Sequence, residues 1–264
     1  MKHSGIVAVL ILAFGAATGT AQTPSAFRGI LPPTERDVSV NGETRTESVS
    51  PASPWAGAQI GYKFGNSGDF SDSVLVTAHL MYDVKLDASD TFHLPVMGNI
   101  AELTTSAAGV TGSPDDVKKK AEDLVLSATG ARVGLYPYVF LKRKPFFSAI
   151  GHGELAWKMN GFKDDANNVT YLQQGRGSIG AEFWIGQNDK DHLPITVSLT
   201  AVRSFFSAAD YQKVFGKSKN HIQTFETTAI VPVGRGAGFL FEYVIGGGTR
   251  AVRAGIVIAV QPQS

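Results

Sequence analysis

Two consecutive runs between Gly130 and Met159 constrain the fold of this chain most strongly. The first run is GARVGLYPYVFL, the second is FFSAIGHGELAWKM, and only KRKP separates them. Each run is long enough for a strand that crosses a membrane, and the separation fits a short turn. Because successive side chains of a strand point to opposite faces of a sheet, the second run predicts one apolar face and one charged face.

The two faces of the second run differ in composition. The apolar face holds Phe147, Ala149, Leu155 and Trp157, with Gly151 and Gly153 between them. The opposite face holds Ser148, His152, Glu154 and Lys158. The alternation recurs almost to the C-terminus and predicts about ten strands, of which Thr91–Asn99 is weaker because Pro95 cannot donate to a ladder. The other predicted strands are Trp55–Phe64, Ser73–Lys85, the two runs above, Gly175–Gly186, Pro194–Arg203, His221–Val231, Ala237–Ile245 and Arg250–Val260.

The lengths of the connections sort by parity. The short ones are Asp87–Asp90, Lys142–Pro145, Gln187–His192 and Pro232–Gly236, and the long ones are Ala101–Thr129, Asn160–Gln173 and Ser204–Asn220. These four short connections have even numbers and would lie at the periplasmic end, whereas the three long ones have odd numbers and would lie at the other end, a sorting that a soluble β-sandwich has no reason to show. The pattern predicts an all-β fold, an antiparallel up-and-down transmembrane β-barrel of about 10 strands (8–12), with a short helix in one long loop.

Composition narrows the classes of function. The chain has 264 residues, 24 basic and 23 acidic residues, and no Cys. Near-neutral charge gives no indication of a nucleic-acid partner, and the lack of Cys excludes disulfides and cysteine metal sites. After the N-terminus no apolar run approaches ~18 residues, so no transmembrane helix is indicated in the mature chain.

The N-terminal segment predicts export. Lys2 and His3 precede an apolar core, Ile6–Phe14, and Gly19-Thr20-Ala21 offers small residues for cleavage. We expect a signal peptide over 1–21, a periplasmic arm or linker over 22–54, and the β-barrel domain over 55–264. Within the long connection 101–129, Ser113-Pro114 and the following acids are typical of a helix start, so residues 113–128 are predicted to form a helix.

Signal peptide, alternating strands and loop parity together resemble a bacterial outer-membrane β-barrel protein, over roughly Trp55 to Val260. The resemblance implies location in the bacterial outer membrane and contact with outer-membrane lipid. One departure is the C-terminus, Val260-Gln261-Pro262-Gln263-Ser264, which lacks the aromatic last residue that such barrels commonly use in assembly.

Charged residues on the polar faces are expected to line a narrow lumen, where charges must pair or stay hydrated. They form either a salt-bridge network that holds the barrel in shape or a pore lining. The predicted lumen-lining residues are His79, Asp83, Arg132, His152, Glu154, Lys158, Arg176, Glu182, Glu226, Glu242 and Arg253. The predicted aromatic girdle, where aromatic residues mark the two membrane interfaces, comprises Trp55, Tyr62, Tyr82 and Trp157.

The expected function is structural, or passage of small solutes, with loops exposed outside. No cofactor and no metal site is expected, since the six His lack a metal-binding spacing. An exported soluble barrel that binds a small apolar ligand remains an alternative, and it would need an apolar interior and a charged exterior. A lipid-modifying enzyme is another, although no GxSxG occurs and no catalytic residue is assigned among Ser148, Ser178, His152 and Glu154. Oligomeric state is left open.

Overall fold

The computed structural model of the protein describes the backbone of residues 34–40, 43–49, 55–64, 70–86, 91–104, 130–144, 146–163, 169–186, 192–247 and 249–260. Side chains are described mainly from residue 131 onward, and at a few positions between 80 and 96. Among the described residues, the structure contains no helix both long and apolar enough to cross a membrane.

Thirteen strands and one helix make up the described chain. The strands are β1 Thr34–Val40, β2 Glu43–Val49, β3 Trp55–Phe64, β4 Phe70–Lys85, β5 Phe92–Thr104, β6 Gly130–Leu135, β7 Tyr138–Lys144, β8 Phe147–Lys163, β9 Val169–Ile185, β10 Ile195–Phe206, β11 His221–Gly234, β12 Ala237–Gly246 and β13 Thr249–Val260. The helix, α1, spans Ala208–Phe215 between β10 and β11.

Strands β3 to β13 follow one another as antiparallel neighbours, in chain order. β4 pairs with both β3 and β5, and β13 pairs with both β12 and β3, so each strand has a partner on either side. β6 and β7 occupy a single position between β5 and β8, which makes ten positions in all. This arrangement confirms the predicted up-and-down barrel of about ten strands. Among the described residues, β1 and β2 pair only with each other, in the segment predicted to be an arm.

A proline divides the fourth position into β6 and β7. Pro137 has no amide hydrogen, so the ladder is interrupted there. The neighbouring backbone groups compensate: the Tyr136 amide donates to the Pro95 carbonyl at 2.9 Å, and the Gly153 amide donates to the Pro137 carbonyl at 2.8 Å. The predicted single strand over the first central run is therefore two strands that share one place in the barrel.

The two surfaces of the barrel wall have opposite character. Along β10, Thr196, Ser198 and Thr200 are buried, whereas Leu199 is 50% and Phe205 48% exposed. The same alternation places large apolar side chains outside on every strand with described side chains from β8 to β12. They include Leu155, Trp157, Ile179, Ile185, Leu199, Phe205, Phe225, Phe239, Phe241 and Ile245. A lipid-facing exterior and a polar interior are the pattern of a transmembrane barrel.

The connections between strands differ from the prediction at one loop, and the helix observed is not the one predicted. Residues Asn160–Gln173 were expected to be a long loop, but β8 and β9 run to 17 residues each and remain paired as far as Lys163 and Val169. Their polar side chains do not end the strands, because the ladder is made by backbone groups. The expected helix over 113–128 lies outside the described residues, as does the segment 1–21. The helix found instead, α1, lies in the long connection Ser204–Asn220.

Candidate functional site: the interior of the barrel

An ionic chain of four side chains crosses the interior. The Arg132 guanidinium donates to Glu154 Oε1 at 3.1 Å. Glu154 also accepts from Arg176 Nε, at 3.1 Å to Oε1 and 3.0 Å to Oε2. Arg176 Nη2 then donates to both Glu226 carboxylate oxygens at 2.9 Å. Two cations and two anions therefore alternate, and we call these four residues the ionic chain.

The strand register explains how the ionic chain forms. Arg132 lies on β6, Glu154 on neighbouring β8 and Arg176 on β9, so the first contacts join adjacent strands. Glu226 lies on β11, one strand beyond β10, and Arg176 must reach past β10 to contact it. Small residues leave room nearby: a Cβ added at Gly134 would lie 2.5 Å from that of Ala156. A guanidinium offers donors in several directions, which suits a residue shared by two carboxylates.

Burial makes the pairing in the ionic chain necessary. The Arg176 and Glu226 side chains are 4% and 2% exposed, and those of Arg132 and Glu154 are 5% and 6% exposed. An ion that leaves water is stable only when paired and hydrogen-bonded. Since the four formal charges cancel, the ionic chain cross-links the wall without adding net charge of its own to the interior.

A second polar contact lies inside the barrel between the ionic chain and the connection at residues 145–146. Ser198 Oγ is 3.2 Å from His152 Nε2 and 3.2 Å from Thr200 Oγ1. Gly180, the register partner of His152, provides the space, since a Cβ there would lie 2.6 Å from the imidazole. A serine next to a histidine could belong to a catalytic triad, which would need a carboxylate on the histidine. The nearby Glu154 is instead bound by Arg132 and Arg176, and its contact with Ser178 Oγ is long, at 3.5 Å. We therefore assign the serine–histidine contact a packing role.

An aromatic cluster fills the interior at the turn end, which we define as the end bearing the connections 145–146 and 235–236. Tyr138, Phe140, Ile150 and Trp184 pack together and are buried. His93 stacks on Tyr138 with ring centroids 4.5 Å apart, and Phe140 meets Trp184 edge-on at 5.6 Å. The Trp184 indole donates to Glu182. This cluster closes that part of the interior with large, rigid side chains.

The helix α1 covers the opposite end of the wall, over β9 to β11, and we call this the helix end. Ser207 caps the helix by accepting from the Asp210 amide, and Gly216 ends it with φ 71°. Its buried face, Tyr211 and Phe215, packs on the inward residues Leu172, Phe206 and Ile222. Tyr211 is 0% exposed and lies 5.2 Å from Phe206, ring to ring. Aromatic clusters therefore lie on either side of the ionic chain, one on β7 to β9 and the other on β9 to β11 and α1.

All the predicted lumen-lining residues whose side chains are described are buried. They are Arg132, His152, Glu154, Lys158, Arg176, Glu182, Glu226 and Glu242. The structure brings Arg132, Glu154, Arg176 and Glu226 into direct contact and keeps His152 apart with Ser198. The side chains of His79, Asp83 and Arg253 lie outside the described set. A role in lining an open lumen stays a prediction for all of them.

The side chains of the predicted aromatic girdle are described at only two of its four positions. Tyr82 and Trp157 are 59% and 43% exposed on the outside, whereas the side chains of Trp55 and Tyr62 are outside the described set. Sequence reasoning missed Ser198, Trp184 and the Tyr211–Phe215 pair. The last pair had a usable signal, a Ser cap followed by aromatic residues four apart and then Gly.

No protein-family model matches the chain, and no curated protein matches it. Among solved structures, the chain is similar to the beta domain of the Bordetella autotransporter Brka, at 12% identity and TM-score 0.38, covering 78% of this chain and 98% of that one. It is also similar to the NanC porin, at 10% identity and TM-score 0.33, covering 77% of this chain and 98% of that one. At such identities, function must be sought in the chain's own side chains.

Proposed function

We propose that the chain is a bacterial outer-membrane β-barrel protein with a filled interior, which serves as a structural element of the membrane and holds its loops at the cell surface. Export by the signal peptide predicted over 1–21 would bring it there. One observation carries the proposal: buried aromatic residues flank the ionic chain at both ends, on β7 to β9 toward the turn end and on β9 to β11 with α1 toward the helix end. No catalytic role is proposed.

A filled interior suits a structural role better than wide passage. A ten-stranded barrel has a backbone diameter of roughly 20 Å, and inward side chains occupy about half of that. Here the Arg176–Glu226 ion pair spans the interior from β9 to β11, and the helix α1 covers the barrel at the helix end of these strands. Wide water-filled channels have about 16 strands.

Passage of small solutes is a second candidate, favoured by the buried polar side chains on the inner face of β10 and β11. Thr200, Thr224, Thr228 and Ser198 are buried there along with the ions. A narrow hydrated path beside them would carry small solutes of either charge, since the ionic chain is neutral. An oily interior suited to an apolar ligand is the reverse of this arrangement.

Conductance in planar lipid bilayers separates these candidates. The refolded full chain is inserted and its current is recorded in 1 M KCl, with a variant in which Tyr211, Phe215 and Phe206 are all changed to Ala as an opened comparison. The structural proposal predicts silence from the parent protein and measurable current from the opened variant. Steady open-channel current from the parent protein would contradict it and favour the second candidate.

A further inference from the structure

A β-bulge turns a lysine to the outer wall near the turn end of β7. The register with β8 shifts between Phe140 and Lys142, so Leu141 is the additional residue of the bulge. Bulges re-aim the side chains that follow them. Without this one, Lys142 would share the inward face of Phe140, because alternate residues of a strand point the same way. With it, Leu141 and Lys142 are both exposed.

Two lysines face outward as a result. Lys144 pairs with Phe147 in the last register pair of the β7–β8 hairpin, and Lys142 lies one outward row further in. The Lys142 amine lies 5.9 Å from the Phe147 ring centroid, so its long side chain reaches back toward the turn end. Between them Arg143 points the other way, with its guanidinium 4.5 Å from the centroid of the buried Phe140 ring. We call Lys142 and Lys144 the lysine pair.

The aromatic residues of β8 set the level of the lysine pair in a membrane. Trp157 follows Phe147 by ten residues, and both lie on the outward face. A rise of about 3.3 Å per residue and a strand tilt near 40° separate them by roughly 25 Å along the barrel axis. The lipid-facing band of such barrels is about 25 Å tall. The row of Phe147 therefore lies at one border of the membrane, and the lysine pair lies there with it.

Apolar side chains extend from the lysine pair toward the middle of the membrane. Phe147 stacks on Phe183 with ring centroids 6.2 Å apart, and Ile185 beside them is 49% exposed. Leu141, further in, is 68% exposed and lies over Gly151, where an added Cβ would be 3.6 Å from the leucine side chain. Charge thus lies nearest the water and apolar surface lies deeper, which is the order of the headgroup and acyl chains of a lipid.

No described carboxylate lies on the outer wall near the lysine pair. The carboxylates with described side chains are Glu154, Glu182, Glu226 and Glu242, all buried in the interior, and Asp210 on α1 at the helix end. Neither lysine forms an ion pair with a described residue. Lysines near a membrane surface attract anionic headgroups. The outer wall at this border therefore offers positive charge that a membrane anion can neutralise.

The occupant must satisfy both the two cations and the apolar surface beneath them. A phospholipid offers a phosphate and acyl chains in that order, and the membrane supplies it at this level. Two ammonium groups on alternate residues of a strand, about 7 Å apart, can share one phosphate. We propose that the lysine pair binds the phosphate of an anionic phospholipid at the turn-end border, with an acyl chain over Phe183 and Leu141. The proposal rests on the barrel lying in a membrane and not on whether its interior is filled.

Native mass spectrometry of the full chain, released from detergent micelles, measures the binding. The probes are dioctanoyl phosphatidylglycerol, dioctanoyl phosphatidylcholine and inorganic phosphate. We expect one phosphatidylglycerol to be retained in preference to phosphatidylcholine, whose choline group offsets the charge of its phosphate. Lys142→Gln together with Lys144→Gln should weaken phosphatidylglycerol binding about thirtyfold, or about fivefold per lysine. Leu141→Ser should weaken the binding of both lipids by removing apolar surface.

A matched double variant keeps the result interpretable. Lys213→Gln together with Lys217→Gln removes two exposed lysines at the helix end and should retain phosphatidylglycerol like the parent protein. Heat-dependent mobility on gels verifies that each variant is folded. Equal loss in the two double variants, equal retention of the two lipids by the parent protein, or displacement of phosphatidylglycerol by equimolar inorganic phosphate would each overturn the proposal. A conducting parent barrel would contradict the structural role alone, so the two failures are distinguishable.

Discussion

Removing Arg176 should expose the energetic role of the ionic chain. Arg176→Met keeps most of the apolar stem and deletes the guanidinium that contacts Glu154 and Glu226. Glu154 retains Arg132 at 3.1 Å, but among the described residues Glu226 then has no ionic partner, and its side chain is 2% exposed. Breaking a buried pair by removing one partner costs about 3–5 kcal/mol. We expect the free energy of unfolding to fall by that amount.

A double variant isolates the cause. Arg176→Met with Glu226→Gln removes the unpaired charge, and it should be about 2 kcal/mol more stable than Arg176→Met alone. Urea unfolding in phospholipid vesicles, followed by Trp fluorescence, measures both, with Arg235→Met as the exposed-arginine control. The reasoning is refuted if Arg176→Met costs no more than Arg235→Met, or if the second substitution brings no recovery.

Three further substitutions test other parts of the barrel. Gly180→Ala should lower stability by about 1–3 kcal/mol, since its Cβ would clash with the Leu199 backbone oxygen and lie 2.6 Å from the His152 ring, whereas Gly177→Ala, with 3.9 Å of clearance, should be near neutral by the same urea assay. Ile179→Lys, at a lipid-facing position 73% exposed, should cost about 2–4 kcal/mol in vesicles, and Ser218→Lys in the loop next to nothing; equal costs would contradict the assigned faces. Tyr211→Ala should release α1 and speed tryptic cleavage at Lys213 and Lys217 relative to the exposed control Gln212→Ala, and unchanged cleavage rates would count against a packed helix.

The alternation of apolar and polar residues predicted the barrel because the face of each side chain depends only on its position along its own strand. Which side chain of β8 faces inward follows from counting by two, so His152, Glu154 and Lys158 fall on the face expected for them. The strand bounds could not be predicted in the same way: Asn160 to Lys163 do not continue the apolar alternation, yet they remain in the ladder by pairing with Val169 to Leu172. Composition alone could not show that those strands continue so far.

The contacts of the ionic chain depend on how neighbouring strands are aligned with one another, and this alignment cannot be predicted from composition. Nothing in the sequence shows that Arg176 reaches past β10 to Glu226, 50 residues away, or that His152 meets Ser198, 46 residues away. The surroundings of each glycine depend on register in the same way. Gly175 is one glycine among 29 until the register sets it between Trp157 and Phe205.

The central claim is that apolar side chains face lipid and polar ones face the interior, and β10 tests it residue by residue. The chain has no Cys, so a single Cys placed in turn at Val197, Ser198, Leu199, Thr200 and Ala201 carries the only spin label. Electron paramagnetic resonance in vesicles then measures collisions with oxygen, which is concentrated in the hydrocarbon. We expect high oxygen accessibility at 197, 199 and 201 and low accessibility at 198 and 200. The opposite phase, or accessibility without a period of two, would contradict the fold described above.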